Sequence, residues 1–188
     1  PASDAGDYVS LPDENGQYPS KDISIVAWVY SENDRRETVL DLNNAGSSNS
    51  SNDGGLVLRR DSDLSLQTFF HTENSTDIKL SGGTLSSGTW HHVILTRKEN
   101  TGEVRLYIDG ELVASDNKPT GDIKYDYGSY DDNSVNIGRF IRSGASHDGW
   151  DGKIQDVRLY DHALTQQEIQ YLYQVGKRGL HVSDKRTL

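Results

Sequence analysis

Apolar and polar residues alternate with a period of two in many short segments of this chain. This period is typical of half-buried β-strands, because successive side chains of a strand point to opposite faces. Gly, Asn, Asp and Ser residues, which favour turns, separate the segments. Asp109-Gly110 predicts a two-residue hairpin, whose turn needs positive φ at both positions. The alternating segments are 7–11, 23–30, 38–42, 55–60, 64–71, 76–80, 91–98, 103–109, 111–115, 134–140 and 153–160.

A succession of so many short strands predicts an all-β fold, an antiparallel jelly-roll β-sandwich. A single segment has helical spacing instead. Thr165 precedes it, with Glu168 three residues later in a capping box, and Ile169, Leu172 and Tyr173 form its apolar stripe. We therefore expect one short C-terminal helix that packs on an end of the sandwich.

Length and composition narrow the class of protein. At 188 residues the chain is long enough for one domain, which we place at 1–176, with 177–188 as a linker or an extra pairing segment. Its 29 acidic and 19 basic side chains give a formal charge of −10, which argues against nucleic-acid binding. Without cysteine it forms no disulfide or thiolate site. The chain has no methionine, so we expect a piece of a longer chain with flanking domains. It also has no long apolar run, so we expect no membrane insertion.

Three motifs in order along the chain resemble a known family. They are "WHHV" at 90–93, "VRLYIDGELVA" at 104–114 and "IQDVRLYDHALTQQEI" at 154–169. Together they resemble bacterial laminin-G-like domains of the concanavalin A-like lectin/glucanase superfamily, distantly similar to pentraxins. The resemblance covers about residues 7–175 and implies a lectin-type jelly roll that binds carbohydrate.

The histidine pair in the first motif is predicted to be structural. Alternation along the strand sends His91 and His92 to opposite faces of the sheet. The two rings therefore cannot bind one metal ion together.

Resemblance to the superfamily implies a calcium ion that braces the fold. In related lectins and glucanases an aspartate in the third motif binds structural calcium with backbone carbonyls from segments that include the chain start. This implies that Asp156 is a calcium ligand, near Gly6 and Asp7. Calcium takes six to eight oxygen ligands, which a carboxylate, carbonyls and water can supply.

The strand around Asp156 also allows another interpretation. Alternation places Val157 on one face, and Asp156 on the other with Ile154 and Arg158. If Val157 faces the core, Asp156 lies on the outer side of the sheet. There it could instead form a surface ion pair with Arg158 or a neighbour.

Ligand-binding candidates come from two loops. Pentraxins use an Asp–Asn pair for calcium-dependent ligand binding, and Asn52-Asp53 has these residue types in reverse order. Where pentraxins have a second acidic cluster, this chain has Arg139, so a two-calcium site is not expected, and Arg139 is instead a candidate ligand-binding residue.

A different ligand surface is suggested by His147, Asp148 and Trp150, since sugar sites commonly pair an aromatic ring with polar side chains. The alternative for Trp150 is a core side chain that caps the entry to the last strand.

Catalysis is not predicted. The segment 32–37 has the Glu-x-Asp-x-x-Glu spacing of a glycosidase family, but its intervening arginines would be buried in such a strand, so we interpret it as a solvated hairpin loop. The sequence thus predicts a calcium-braced, carbohydrate-binding module of a larger extracellular or cell-surface protein. A protein-binding or spacer adhesion domain is the alternative, and a glycosidase or polysaccharide lyase is a third.

Overall fold

The computed structural model describes residues 7–12, 18–42, 55–125, 134–142 and 145–183. All eleven predicted strands are present there, and one hairpin of two three-residue strands, too short to show alternation, is additional. The strands are β1 (Val9–Pro12), β2 (Ile23–Ser31), β3 (Glu37–Leu42), β4 (Leu56–Arg60), β5 (Leu66–Thr72), β6 (Ser75–Gly82), β7 (Trp90–Lys98), β8 (Glu103–Ile108), β9 (Glu111–Asn117), β10 (Ser134–Ile137), β11 (Phe140–Arg142), β12 (Ala145–His147) and β13 (Gly152–Tyr160). A 3₁₀ turn (Glu99–Thr101) and the helix α1 (Gln166–Ser183) complete the described elements.

The strands form two antiparallel sheets that pack face to face. One sheet has six strands in the order β1-β10-β3-β4-β5-β6, and the other has five in the order β13-β2-β7-β8-β9. β11 and β12 pair separately as a small hairpin. The predicted all-β antiparallel sandwich is confirmed. Asp109 and Gly110 have φ of 55° and 84°, as the predicted hairpin turn requires.

Strand β2 shows how alternation builds two cores. Ile23, Ile25, Ala27 and Val29 point between the sheets into the main core. Val26 points to the other face, where it joins the smaller core beneath α1. Burying an aliphatic side chain of this size contributes about 1.5–3 kcal/mol, so the strand is stabilised from both sides.

Helix α1 begins as predicted but is longer than predicted. The Thr165 amide donates to Glu168 Oε2 at 2.8 Å, and the Glu168 amide donates to Thr165 Oγ1 at 3.4 Å, which completes the capping box. The helix continues to Ser183, so α1 is longer than the short helix that we expected and includes 177–183. Among the described residues, no helix has the length and hydropathy that a membrane crossing requires.

Contacts with Trp28 hold the middle of α1 against β2. The Tyr173 ring stacks on Trp28 of β2 with centroids 5.7 Å apart. One turn later, Gly176 lies so close to the Trp28 indole that a Cβ there would be 2.2 Å from Nε1. Only a glycine allows this approach, and no alternating pattern in the sequence signals it.

Candidate functional site

A cleft of about 470 Å³ lies between the edge strands of the two sheets, and we call it the edge cleft. β1 ends the six-stranded sheet and β13 ends the five-stranded sheet, so the sandwich is open on this side. The cleft is lined by Asp7, Tyr8, Val9, Ile137, Gly138, Trp150, Asp151, Gly152, Lys153 and Ile154. Concave sites that mix apolar walls with a few polar groups are typical of small-ligand binding.

Tyr8 is the exposed aromatic side chain of the edge cleft, with 46% of its surface accessible. Arg139 holds it in place, because its guanidinium carbon lies 3.5 Å from the centroid of the Tyr8 ring. Arg139 is itself only 8% exposed, and its Nε donates to Asn136 Oδ1 at 2.8 Å. The predicted ligand residue Arg139 thus lies behind the ring and orients it.

Charged side chains lie around the edge cleft. Asp7, Asp151 and Lys153 are exposed on its walls. Lys153 Nζ lies 5.5 Å from the Tyr30 ring centroid, and Asp151 Oδ2 accepts a hydrogen bond from Asn33 Nδ2 at 2.8 Å. Carboxylate and ammonium groups fixed beside an exposed ring can hydrogen-bond the hydroxyl groups of a ligand.

Trp150 belongs to the core. It is 5% exposed, it packs in the main core, and its Nε1 donates to the Tyr30 carbonyl at 3.0 Å. A ring that stacks on a sugar needs an exposed face, which this burial does not leave. The core-capping alternative therefore describes Trp150 better than the sugar-stacking hypothesis.

His147 and Asp148 lie elsewhere, on the outer face of the six-stranded sheet. His147 pairs with Phe140 in the β11–β12 hairpin, and the Phe140 ring meets Phe69 edge to face at 5.9 Å. The Asp148 carbonyl accepts the Thr38 amide at 2.8 Å. The structure thus separates these two predicted ligand residues from the edge cleft.

A polar network beside this hairpin was not predicted. Arg59 donates to Gln67 Oε1 at 2.9 Å and lies over the Phe69 ring at 4.8 Å, while Gln67 Nε2 donates to Asp61 Oδ2 at 2.8 Å. Alternation in 55–60 and 64–71 puts Arg59, Gln67 and Phe69 on the faces of their strands that point away from the core. This signal could have predicted that the three side chains share one face of the sheet. Because Asp61 also accepts from Arg36 at 2.7 Å, these groups largely satisfy one another.

Asp156 forms the ion pair that the sequence left as an alternative. Its two carboxylate oxygens accept hydrogen bonds from Nε and Nη2 of Arg158 at 2.7 and 2.8 Å.

Strand β13 has a bulge at this position. Asp156 has φ of 54° at a register shift between Gln155 and Arg158. This bulge lets Ile154 and Val157 both pack against the main core, so the prediction that they lie on opposite faces is wrong.

The expected calcium site, one carboxylate with backbone carbonyls, lies only partly within the described residues. Over the described ranges, no three Asp, Glu or His side chains are grouped so that they could hold a metal ion. The Asp156 carboxylate is already engaged by Arg158. Gly6, Asn52 and Asp53 lie outside the described residues. Calcium binding by Asp156, Asp7 and Gly6 therefore stays a prediction.

The segment with glycosidase-like spacing is a connection between the sheets. Residues 32–36 link β2 of one sheet to β3 of the other, so the expected hairpin loop is wrong. Its last carboxylate, Glu37, is fully buried, and burial raises the pKa of this group. Glu37 accepts hydrogen bonds from Ser31 Oγ at 2.7 Å and from Arg60 Nη2 at 2.9 Å. These contacts give Glu37 a structural role.

Comparisons with known proteins agree on the fold. A family model described as the concanavalin A-like lectin/glucanases superfamily matches residues 3–170. The carbohydrate-binding module CBM40 of a Ruminococcus gnavus sialidase, solved with α2,3-sialyllactose, superposes with a TM-score of 0.68 at 14% identity, covering 83% of this chain and 84% of that one. A leech intramolecular trans-sialidase superposes with a TM-score of 0.70 at 19% identity, covering 90% of this chain and 26% of that one.

A heptameric pentraxin of Limulus polyphemus superposes with a TM-score of 0.57 at 15% identity, covering 88% of this chain and 81% of that one. No curated protein matches the sequence.

Proposed function

Because the chain belongs to the concanavalin A-like lectin/glucanase superfamily, we propose that it is a carbohydrate-binding module that takes its glycan ligand in the edge cleft without cleaving it. The observation that carries the proposal is an exposed aromatic ring, Tyr8, fixed in a concave site beside three exposed charged side chains. Such a combination suits a sugar, whose C–H groups pack on a ring while its hydroxyl groups find polar partners.

The relatives support this choice of ligand. The Ruminococcus gnavus module was solved with sialyllactose, and it has the same fold over most of both chains. We infer that the present chain acts in the same way within a larger extracellular or cell-surface protein, whose flanking domains supply any catalysis on the glycan. Sialyllactose is therefore a suitable first probe.

Replacing Tyr8 with alanine is expected to weaken glycan binding at least about tenfold, because its ring is the exposed aromatic surface of the edge cleft. Isothermal titration calorimetry with the best glycan found on an array measures the effect. Tyr171→Ala is the matched control, since Tyr171 is 67% exposed on α1 and lies outside the cleft. Equal losses of affinity in the two variants would contradict the assignment of the site.

The glycan array also separates the alternative functions. Binding that Tyr8→Ala abolishes supports the carbohydrate-binding module. A folded wild-type domain that retains no glycan would instead favour the protein-binding or spacer adhesion role. Release of sugar from a bound glycan would favour the glycosidase or lyase.

We also propose that calcium stabilises the module, with Asp156 as a ligand. Calcium at about 100 times its dissociation constant would add about 2.7 kcal/mol to the free energy of unfolding. We expect the melting temperature of the wild type to rise in calcium, and that of Asp156→Ala to respond less. Arg158→Ala is the control, because it breaks the same ion pair but keeps the carboxylate. No response to calcium in the wild type would refute the proposal.

A further inference from the structure

The two adjacent histidines of β7 have different surroundings. Packing accounts for the position of His92, whereas His91 has polar partners. The His92 ring is buried between Trp28 and Tyr173, with ring centroids 4.8 and 6.0 Å away. His91 points to the other side of the strand, where both of its ring nitrogens have polar partners.

These partners form a continuous chain of three side chains. His91 Nδ1 lies 2.9 Å from Asp109 Oδ2, and His91 Nε2 lies 3.1 Å from Ser86 Oγ. With the Nδ1 proton donated to the carboxylate, Nε2 is free to accept the serine proton. This is the order of contacts that activates a serine in hydrolases on unrelated folds.

Each member of the chain is held by the fold. Ser86 follows Leu85, which is buried and whose amide donates to the Leu64 carbonyl at 2.8 Å. Asp109 occupies the β8–β9 turn, where Oδ1 accepts the His92 amide at 2.9 Å. Burial would raise the pKa of Asp109, but the hydrogen bonds from His91 and from the His92 amide outweigh it, and the pKa lies below its ordinary value. Asp109 is thus a carboxylate at neutral pH, as an orienting group must be.

We propose that Ser86 is a reactive nucleophile that takes acyl groups from small esters, with His91 as its general base and Asp109 as a positioning residue. Ser86 Oγ attacks the ester carbonyl carbon while His91 Nε2 accepts the hydroxyl proton. The bond to the leaving oxygen then breaks, and that oxygen takes the proton from His91. Water, deprotonated by His91, hydrolyses the acyl-serine to a carboxylic acid and regenerates Ser86.

Ser86 is accessible to small esters. Its side chain is on the surface, so the carbonyl carbon of an ester can reach Oγ directly. General-base catalysis alone contributes about 10²–10⁴-fold. We therefore expect slow turnover of activated acetyl esters, independent of glycan binding, because Ser86 is not among the residues that line the edge cleft.

A fluorophosphonate probe tests the proposal directly. When it reacts, a bond forms between Ser86 Oγ and phosphorus and fluoride leaves. We expect mass spectrometry to locate the label on the peptide that contains Ser86, and p-nitrophenyl acetate to be hydrolysed by the same protein. Ser86→Ala and His91→Gln should each lower the rate of labelling by at least about 100-fold, which is the loss of general-base assistance.

The neighbouring serine gives a matched control. Ser87→Ala keeps the Ser86–His91 contact and should be labelled as fast as the wild type. Circular dichroism melts verify that the variants are folded. A wild type that is not labelled, or a Ser86→Ala variant labelled at the wild-type rate, would overturn the proposal and leave the three side chains as a clamp on the loop before β7.

Discussion

Replacing Glu37 with alanine is expected to lower the free energy of unfolding by about 3–5 kcal/mol, because it leaves Arg60 charged and buried without its partner. Both side chains of this ion pair are fully buried, with Oε2 and Nη2 2.9 Å apart. Glu37 Oε1 also accepts the Asp151 amide at 2.9 Å, so the change removes the acceptor that joins β3 to the start of β13. Urea denaturation followed by tryptophan fluorescence measures the loss.

An exposed ion pair provides the control for this prediction. Glu103 and Arg105 are 2.5 Å apart in β8, with roughly a third of each side chain exposed. Glu103→Ala should cost less than about 1 kcal/mol, since solvent screens surface pairs. If Glu37→Ala cost no more than Glu103→Ala, the buried pair would not stabilise the connection between the sheets.

Much of the fold could be predicted because burial in a sandwich follows a period of two. Strands such as β2 and β7 carry enough alternating residues to be recognised from sequence alone. The bulge at Asp156 could not be predicted, because one extra residue reverses the faces without changing the composition of the strand. The close approach of Gly176 to Trp28 could not be predicted either, because no alternating pattern signals it.

The candidate site was harder to predict than the fold, because it depends on which edges of the two sheets meet. Asp7 and Trp150 were predicted for different roles, yet they line the same cleft. Tyr8, next to Asp7, was not predicted as a site residue. Its ring is held in place by the guanidinium of Arg139, more than a hundred residues later in the chain, and no sequence pattern connects the two. The residue types were visible in the sequence, but their proximity was not.

Replacing Trp150 with alanine is expected to destabilise the fold by about 3–5 kcal/mol, the usual cost of removing a buried tryptophan. Its indole packs in the main core and its Nε1 donates to the Tyr30 carbonyl at 3.0 Å. The change therefore creates a cavity and also leaves a backbone acceptor of β2 without its donor. Urea denaturation of the wild type and the variant measures the difference.

Two further variants identify the origin of this loss. Trp150→Phe keeps most of the apolar volume but cannot donate to Tyr30, so it should cost less than Trp150→Ala. Tyr171→Ala removes an exposed ring and should change stability by no more than about 0.5 kcal/mol. A Trp150→Ala protein as stable as the wild type that no longer bound glycan would restore the sugar-stacking role. Loss of stability in proportion to the volume removed would instead show that Trp150 supports the floor of the edge cleft from within the core.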